Sequence, residues 1–344
     1  MQVKELNNVY VSTDNTVILD SSLNVLQTGG VQQRYQEIEA TGRGSKILPA
    51  SSPHCISPFS ENVRAATEKI KKGEIDKSFS DDKNYCCALP HYNCYVYGHL
   101  YDVTQRLKDF KDAAITNESL VVLPPSRHIL NLYANHFKIH GFNTFEILKK
   151  RKGLYFFEKL FISLDKTKPA QVSPDKLEWL RKGYYDNILS KDEILKNNKR
   201  TKLFLTRNNR YMSQQPGRYT GRVGIKNEAE VWGLLKSEGF IILDGWTHDE
   251  DLKTHMDLFG RASLVVGAHG SLFRNSIFCL YDDVVFHEFA PINRQDTSIK
   301  KMSMSCGVKD YNQYIVSAND DYEVEINLDF LKSLLPPSQH HHTG

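Results

Sequence analysis

In the second half of the chain, short apolar runs at 203–205, 240–243, 264–266 and 284–286 are separated by longer stretches with helical spacing. Runs of that length, closed by polar residues or glycine, predict buried strands. Between them, Val231, Leu234 and Leu235 predict one helix, capped by Asn227 and closed by Gly239. Leu252, Met256 and Phe259 predict another, capped by Thr247 and closed by Gly260. The first half repeats the theme. A strand at 120–123 closes on Pro124-Pro125, a helix capped by Ser126 runs to about His140, and Gly141 stops it before a strand at 145–148. An aromatic-rich strand follows at 154–164, and helical spacing marks 61–72, 98–110 and 173–199. Alternation of strands and helices predicts an α/β fold with parallel sheets.

Before this body, Val9-Tyr10-Val11 and Val17-Ile18-Leu19 predict a β-hairpin. After it, the chain from Ile292 is less regular, with a strand expected at 311–316 and a short helix at 330–335. The polar residues 196–200 read as a linker. The simplest architecture is two Rossmann-like halves with a cleft between them, at 61–195 and 196–290. A hairpin extension at 1–60 precedes them, and a tail at 291–344 packs back on the body.

Composition narrows the function. A net charge of +3 over 344 residues gives no electrostatic footprint for nucleic acid. No apolar run is long enough to predict a transmembrane helix, and the N-terminus lacks the apolar core of a signal peptide. The 6 cysteines lack the spacing of a zinc site and read as free thiols. These features predict a cytoplasmic protein without a structural metal.

The most informative stretch is 264–291, LVVGAHGSLFRNSIFCLYDDVVFHEFAP. It reads as strand, tight turn, helix, strand and acid. Gly267 and Gly270 permit sharp turning and close approach to a ligand. A helix beginning at Ser271 points free N–H groups into the turn, which suits a phosphate. Glu288, at the end of the next strand, is placed for a ribose hydroxyl pair. From these residues alone, a nucleotide or phosphate site and an ordinary glycine-rich strand–helix turn both remain open. The spacing is not that of a dehydrogenase fingerprint.

Taken together, the motifs resemble glycosyltransferase family 61. Thr206-Arg207 matches the family's strand-Arg, and Asn227-Glu228 matches its helix start. Residues 265–272 with Asn275 match its central Val-Val-Gly-x-His-Gly motif, and Phe286-His287-Glu288 matches the strand ending in an acid. Tyr97-Gly98-His99 matches the start of the Tyr-Gly-His-Trp-x-x-Asp of its first half, with Leu100 where Trp is common and Asp102 one residue before the motif's acid. Two departures stand out: Ser271-Leu272 replaces Ala-Gly, and Phe273-Arg274 replaces Leu-Thr, which brings a cation to the site.

The resemblance implies a GT-B architecture and an inverting transfer from a nucleotide sugar, UDP-linked, to a glycan hydroxyl. The second half would hold the donor. The first would hold the acceptor, an oligosaccharide, polysaccharide or glycoprotein. Arg207, Gly267, His269, Gly270, Ser271, Asn275 and Glu288 would bind the nucleotide sugar, with Arg274 a further source of positive charge. His99 would be the general base, with Asp102 one turn on to orient it. Asp249-Glu250-Asp251 has the form of an Asp-x-Asp metal motif, but it follows Thr247, where acids offset a helix dipole. No metal or other cofactor is therefore expected. A nucleotide-sugar epimerase and a non-catalytic glycan- or nucleotide-binding scaffold are the rival readings.

Overall fold

A computed structural model describes residues 3–12, 17–23, 59–88, 100–115, 118–122, 127–148, 153–163, 172–206, 223–244, 252–292, 297–319 and 322–336. The chain divides into two compact units, Met1–Asn187 and Ile188–Gly344.

The first unit opens with β1 (Val3–Ser12), β2 (Val17–Leu19), α1 (Phe59–Lys71), β3 (Lys77–Phe79) and β4 (Asn84–Cys87). It continues with α2 (Leu100–Thr104), α3 (Leu107–Asp112), β5 (Glu118–Val122), α4 (Arg127–Ile139), β6 (Phe145–Ile147), β7 (Leu154–Ser163) and α5 (Pro174–Asn187). The strands form one sheet in the order β2-β1-β7-β4-β5-β6, with β3 also on β7. β7, β4, β5 and β6 run parallel. β1 pairs antiparallel with β7 from Val3↔Ser163 to Ser12↔Leu154, so the hairpin is built into this sheet.

Aromatic side chains fill one part of this unit: Phe79 stacks on Phe157 at 4.4 Å, with Tyr85 edge-on at 5.5 Å from Phe157. Lys176 of α5 is buried and paired with Asp109 of α3 at 2.7 Å. Ser163, at the end of β7, also donates to Asp109. The pair ties α5 and α3 to the strand, because separating buried partners would strand a charge. The expected helix over 98–110 is two short helices, α2 and α3. The expected run over 173–199 ends at Asn187 and restarts after Ser190. There Ser190 and Glu193 form a capping box on α6 (Lys191–Lys196) in the second unit.

The second unit continues with β8 (Thr201–Thr206), β9 (Gly224–Ile225), α7 (Glu228–Ser237), β10 (Ile241–Asp244), α8 (Leu252–Gly260) and β11 (Ala262–Ala268). Next come a 3-10 helix (Ser271–Phe278), β12 (Val285–Pro291), α9 (Ser298–Ser305), β13 (Asp310–Val316), β14 (Glu323–Val324) and α10 (Leu328–Leu334). The main sheet has the order β10-β8-β11-β12-β13, and every neighbouring pair is parallel. Phe204, Leu264, Val266, Ala268 and Phe289 pack with Val231 and Leu235 of α7 and Leu331 of α10 into one core.

The segment after Gly270 is a 3-10 helix, not an α-helix. Asn227 precedes α7 but does not cap it through its side chain. Its amide instead exchanges two hydrogen bonds with the Ile326 backbone, at 2.9 and 3.0 Å, and fixes the C-terminal segment to the unit. Gly239 and Gly141 do close their helices, at φ +78 and +84, where a side chain would be strained. The predicted tail omitted α9 and the two-stranded β9–β14 pair.

Candidate active site

In order of appearance, the five strands of the second sheet lie as 2-1-3-4-5, so the order reverses between β8 and β11. Helices and loops diverge to opposite faces at such a point, and the opening beyond the strands' carboxyl ends is where ligands of open α/β sheets bind. β8 ends there at Thr206 and β11 at Ala268. The chain leaves β11 through His269 and Gly270 into the 3-10 helix. The Thr206 hydroxyl donates to Glu228 at the start of α7, which joins two of the matched motifs at the end of β8.

The centre of this site is a buried polar chain. His269 is 3 % exposed and Glu288 0 %. His269 Nδ1 lies 2.7 Å from Glu288 Oε1, and Gln313 Nε2 donates to Glu288 Oε2 at 2.7 Å. The carboxylate accepts from both sides, which requires Nδ1 to carry the proton and turns Nε2 into the imidazole's other functional atom. The His269 backbone N–H donates to Phe289 O at 2.8 Å, so the ring is held by its main chain as well. Glu288, expected at a ribose, is therefore committed on both oxygens to protein partners. Its neighbour His287 lies 3.2 Å from the Tyr314 hydroxyl, and burial pushes its pKa below the ordinary histidine value.

The glycines act differently from the expected sharp turn. Gly267 lies inside β11, and a Cβ there would meet Leu205 O at 2.7 Å and Leu205 Cβ at 2.8 Å. Close approach of β8, rather than of a ligand, excludes a side chain. Gly270 has extended backbone angles, φ −176 and ψ 155, which any residue adopts. Ser271 opens the 3-10 helix and is half-buried. Asn275 is buried, with its amide 3.2 Å from His255 Nδ1 on α8. That contact ties the 3-10 helix to α8.

His99 and Arg207 lie outside the described residues, as does the acidic run 249–251. The backbone of Asp102 lies in α2. Gly267, His269, Gly270, Ser271, Asn275 and Glu288 are brought together in one strand–helix–strand segment. Sequence reasoning missed Gln313, because its role depends on β13 lying beside β12 with Glu288↔Gln313 in register. It also missed His255, which a lone histidine on a helical stretch does not advertise.

A family model described as Glycosyltransferase 61 matches residues 79–285, more than half of the chain. No curated protein matches the chain. Among the described residues no helix is long and apolar enough to cross a membrane.

Proposed function

The chain belongs to glycosyltransferase family 61, and from that premise we propose that it moves a sugar from a nucleotide-sugar donor, UDP-linked, to a glycan hydroxyl with inversion. The observation that carries the reading is the 2-1-3-4-5 sheet, which sets the His269–Glu288 pair at the carboxyl end of β11 beside the reversal of strand order. In this reading the two units are the halves of a GT-B enzyme, the second taking the donor and the first the acceptor.

An inverting transfer is a single displacement at the anomeric carbon. It needs a base for the acceptor hydroxyl and positive groups for the departing diphosphate. His99 is the proposed base, oriented by Asp102. Arg207 follows β8 directly in the chain, and its planar guanidinium suits two phosphate oxygens at once. His269, held by Glu288 through Nδ1, is the proposed ligand of the diphosphate or the donor sugar. Such groups remove the need for a divalent cation.

The test is release of nucleoside diphosphate from a panel of UDP- and GDP-sugars with glycan acceptors. His99→Ala should lower turnover by about 10²-fold or more while nucleotide affinity is kept. Near-normal turnover in that variant would remove His99 from the chemistry. Absence of turnover with every donor, in protein that also binds no nucleotide, would overturn the functional reading.

A further inference from the structure

The 3-10 helix carries a charge that no described residue compensates. Arg274 is 4 % exposed. Its Nε and Nη1 are buried without a hydrogen-bond partner, and Nη2 reaches only the Ser298 hydroxyl, at 3.5 Å. Among the described residues no carboxylate pairs with it. Buried arginines are ordinarily paired and hydrogen-bonded, because an unpaired buried charge is among the costliest features a fold can hold.

Its surroundings add to the imbalance. Ser298 is the first residue of α9, an eight-residue helix. Thr297 gives that helix no side-chain cap, and its first turn contains no acid. A helix start carries partial positive charge, so among the described residues the guanidinium meets a second positive group there. The arrangement becomes favourable once an anion lies between the two.

The 3-10 geometry says where that anion sits. With 3.0 residues per turn, side chains three apart eclipse, so Arg274 lies in line with Ser271 at the mouth of β11. This is the end of the segment at which the strand order reverses. A guanidinium with two unpaired nitrogens and a helix start together match a group with several charged oxygens.

We infer that Arg274 and the N-terminus of α9 form the seat for the donor's diphosphate, an assignment that rests on the nucleotide-sugar reading above. The fold accepts the cost of an unpaired arginine in the free protein, and the diphosphate supplies the missing partner on binding.

The test compares wild type with Arg274→Met and Arg274→Lys. Melting temperature is followed with and without inorganic pyrophosphate, and affinities for UDP and GDP are measured by calorimetry. Arg274→Met removes a buried charge without a partner, so the free variant should melt at the same temperature as wild type or higher. Pyrophosphate should stabilise wild type and not the variant. The tighter of UDP and GDP should bind Arg274→Met about 10–100-fold more weakly, with Arg274→Lys between the two. A free Arg274→Met protein that melts lower or fails to fold would show a structural arginine and overturn the inference. Equal stabilisation of wild type and variant by pyrophosphate, or none in either, would overturn it too. If pyrophosphate protection depends on Arg274 but neither UDP nor GDP binds more tightly than pyrophosphate, the anion seat stands and the nucleotide-sugar reading fails.

Discussion

Acid should destabilise the first unit through one residue, His140, and the size of the effect follows from its packing. The ring stacks on Trp179 at 4.5 Å and meets Tyr184 edge-on at 5.0 Å. Its Nε2 is buried without a hydrogen-bond partner. Gly183, inside α5, leaves the space the ring occupies, since a Cβ there would run into it. Desolvation lowers the His140 pKa from 6.5 to about 4. Between those values the unfolded chain binds a proton that the folded chain does not, so stability falls as pH drops from 6.5 and levels off below about 4. A gap of about 2.5 pH units at about 1.36 kcal/mol each is worth roughly 3 kcal/mol, a large share of a domain's stability. Urea unfolding followed by circular dichroism from pH 8 to 4 reads it. His140→Phe keeps a ring against Trp179 and removes the titration, so its stability should change less over that window by about 3 kcal/mol. Equal pH dependence in both proteins would refute the argument. The same variant separates acid loss of activity caused by unfolding from titration of the proposed base, His99.

Gly267→Ala should destabilise the protein by about 1–3 kcal/mol in urea unfolding, because the new methyl group meets the Leu205 backbone across β8 and β11; wild-type stability would show that the strands adjust freely. Glu288→Ala removes the acceptor of two buried hydrogen bonds and should cost about 2–4 kcal/mol. Glu288→Gln should recover most of that stability but not the donor affinity, and full recovery of both would mean that the charge is immaterial. Arg207→Ala should weaken nucleoside diphosphate binding by about 1.5–3 kcal/mol in calorimetry, and unchanged affinity in a folded variant would remove Arg207 from the site. Turnover should persist in EDTA. Loss that Mg²⁺ or Mn²⁺ reverses would direct attention to Asp249 and Asp251.

The parts of the second sheet that the sequence displays are those whose burial is complete. β8, β11 and β12 are covered on both faces, so their apolar runs are legible; β8 ends at Thr206, while β11 runs on through Gly267 to Ala268 and β12 through Glu288 to Pro291. β4 shows no such signal. Its four residues, Asn84 to Cys87, owe their strand state to pairing with β5 and β7, a tertiary effect that local pattern does not carry. α9 is hidden for a similar reason: Ser, Lys and Met dominate it, and Ile299 and Met302 alone mark its buried apolar side. The two-residue strands β9 and β14 are too short to have a period at all.

At the site the limit is different. Spacing brought His269 and Glu288 into one segment, but the chemistry of each depends on atoms that sequence order does not pair. By its apolar run Glu288 reads as standing at a strand end, where an acid is free to take a ribose, but β12 continues past it to Pro291. Parallel register instead aligns it with Gln313 on β13, and the pairing of β11 with β12 sets His269 on its other oxygen. An exposed acid and a buried hydrogen-bond relay have the same signature in one dimension. Arg274 reverses the relation. The sequence brings a cation to the site there, and its burial beside the start of α9, which Thr297 does not cap through its side chain, turns it into an unmet charge. The same shielding that hides Glu288 from solvent strengthens its pull on His269, and it raises the energetic gain when an anion reaches Arg274.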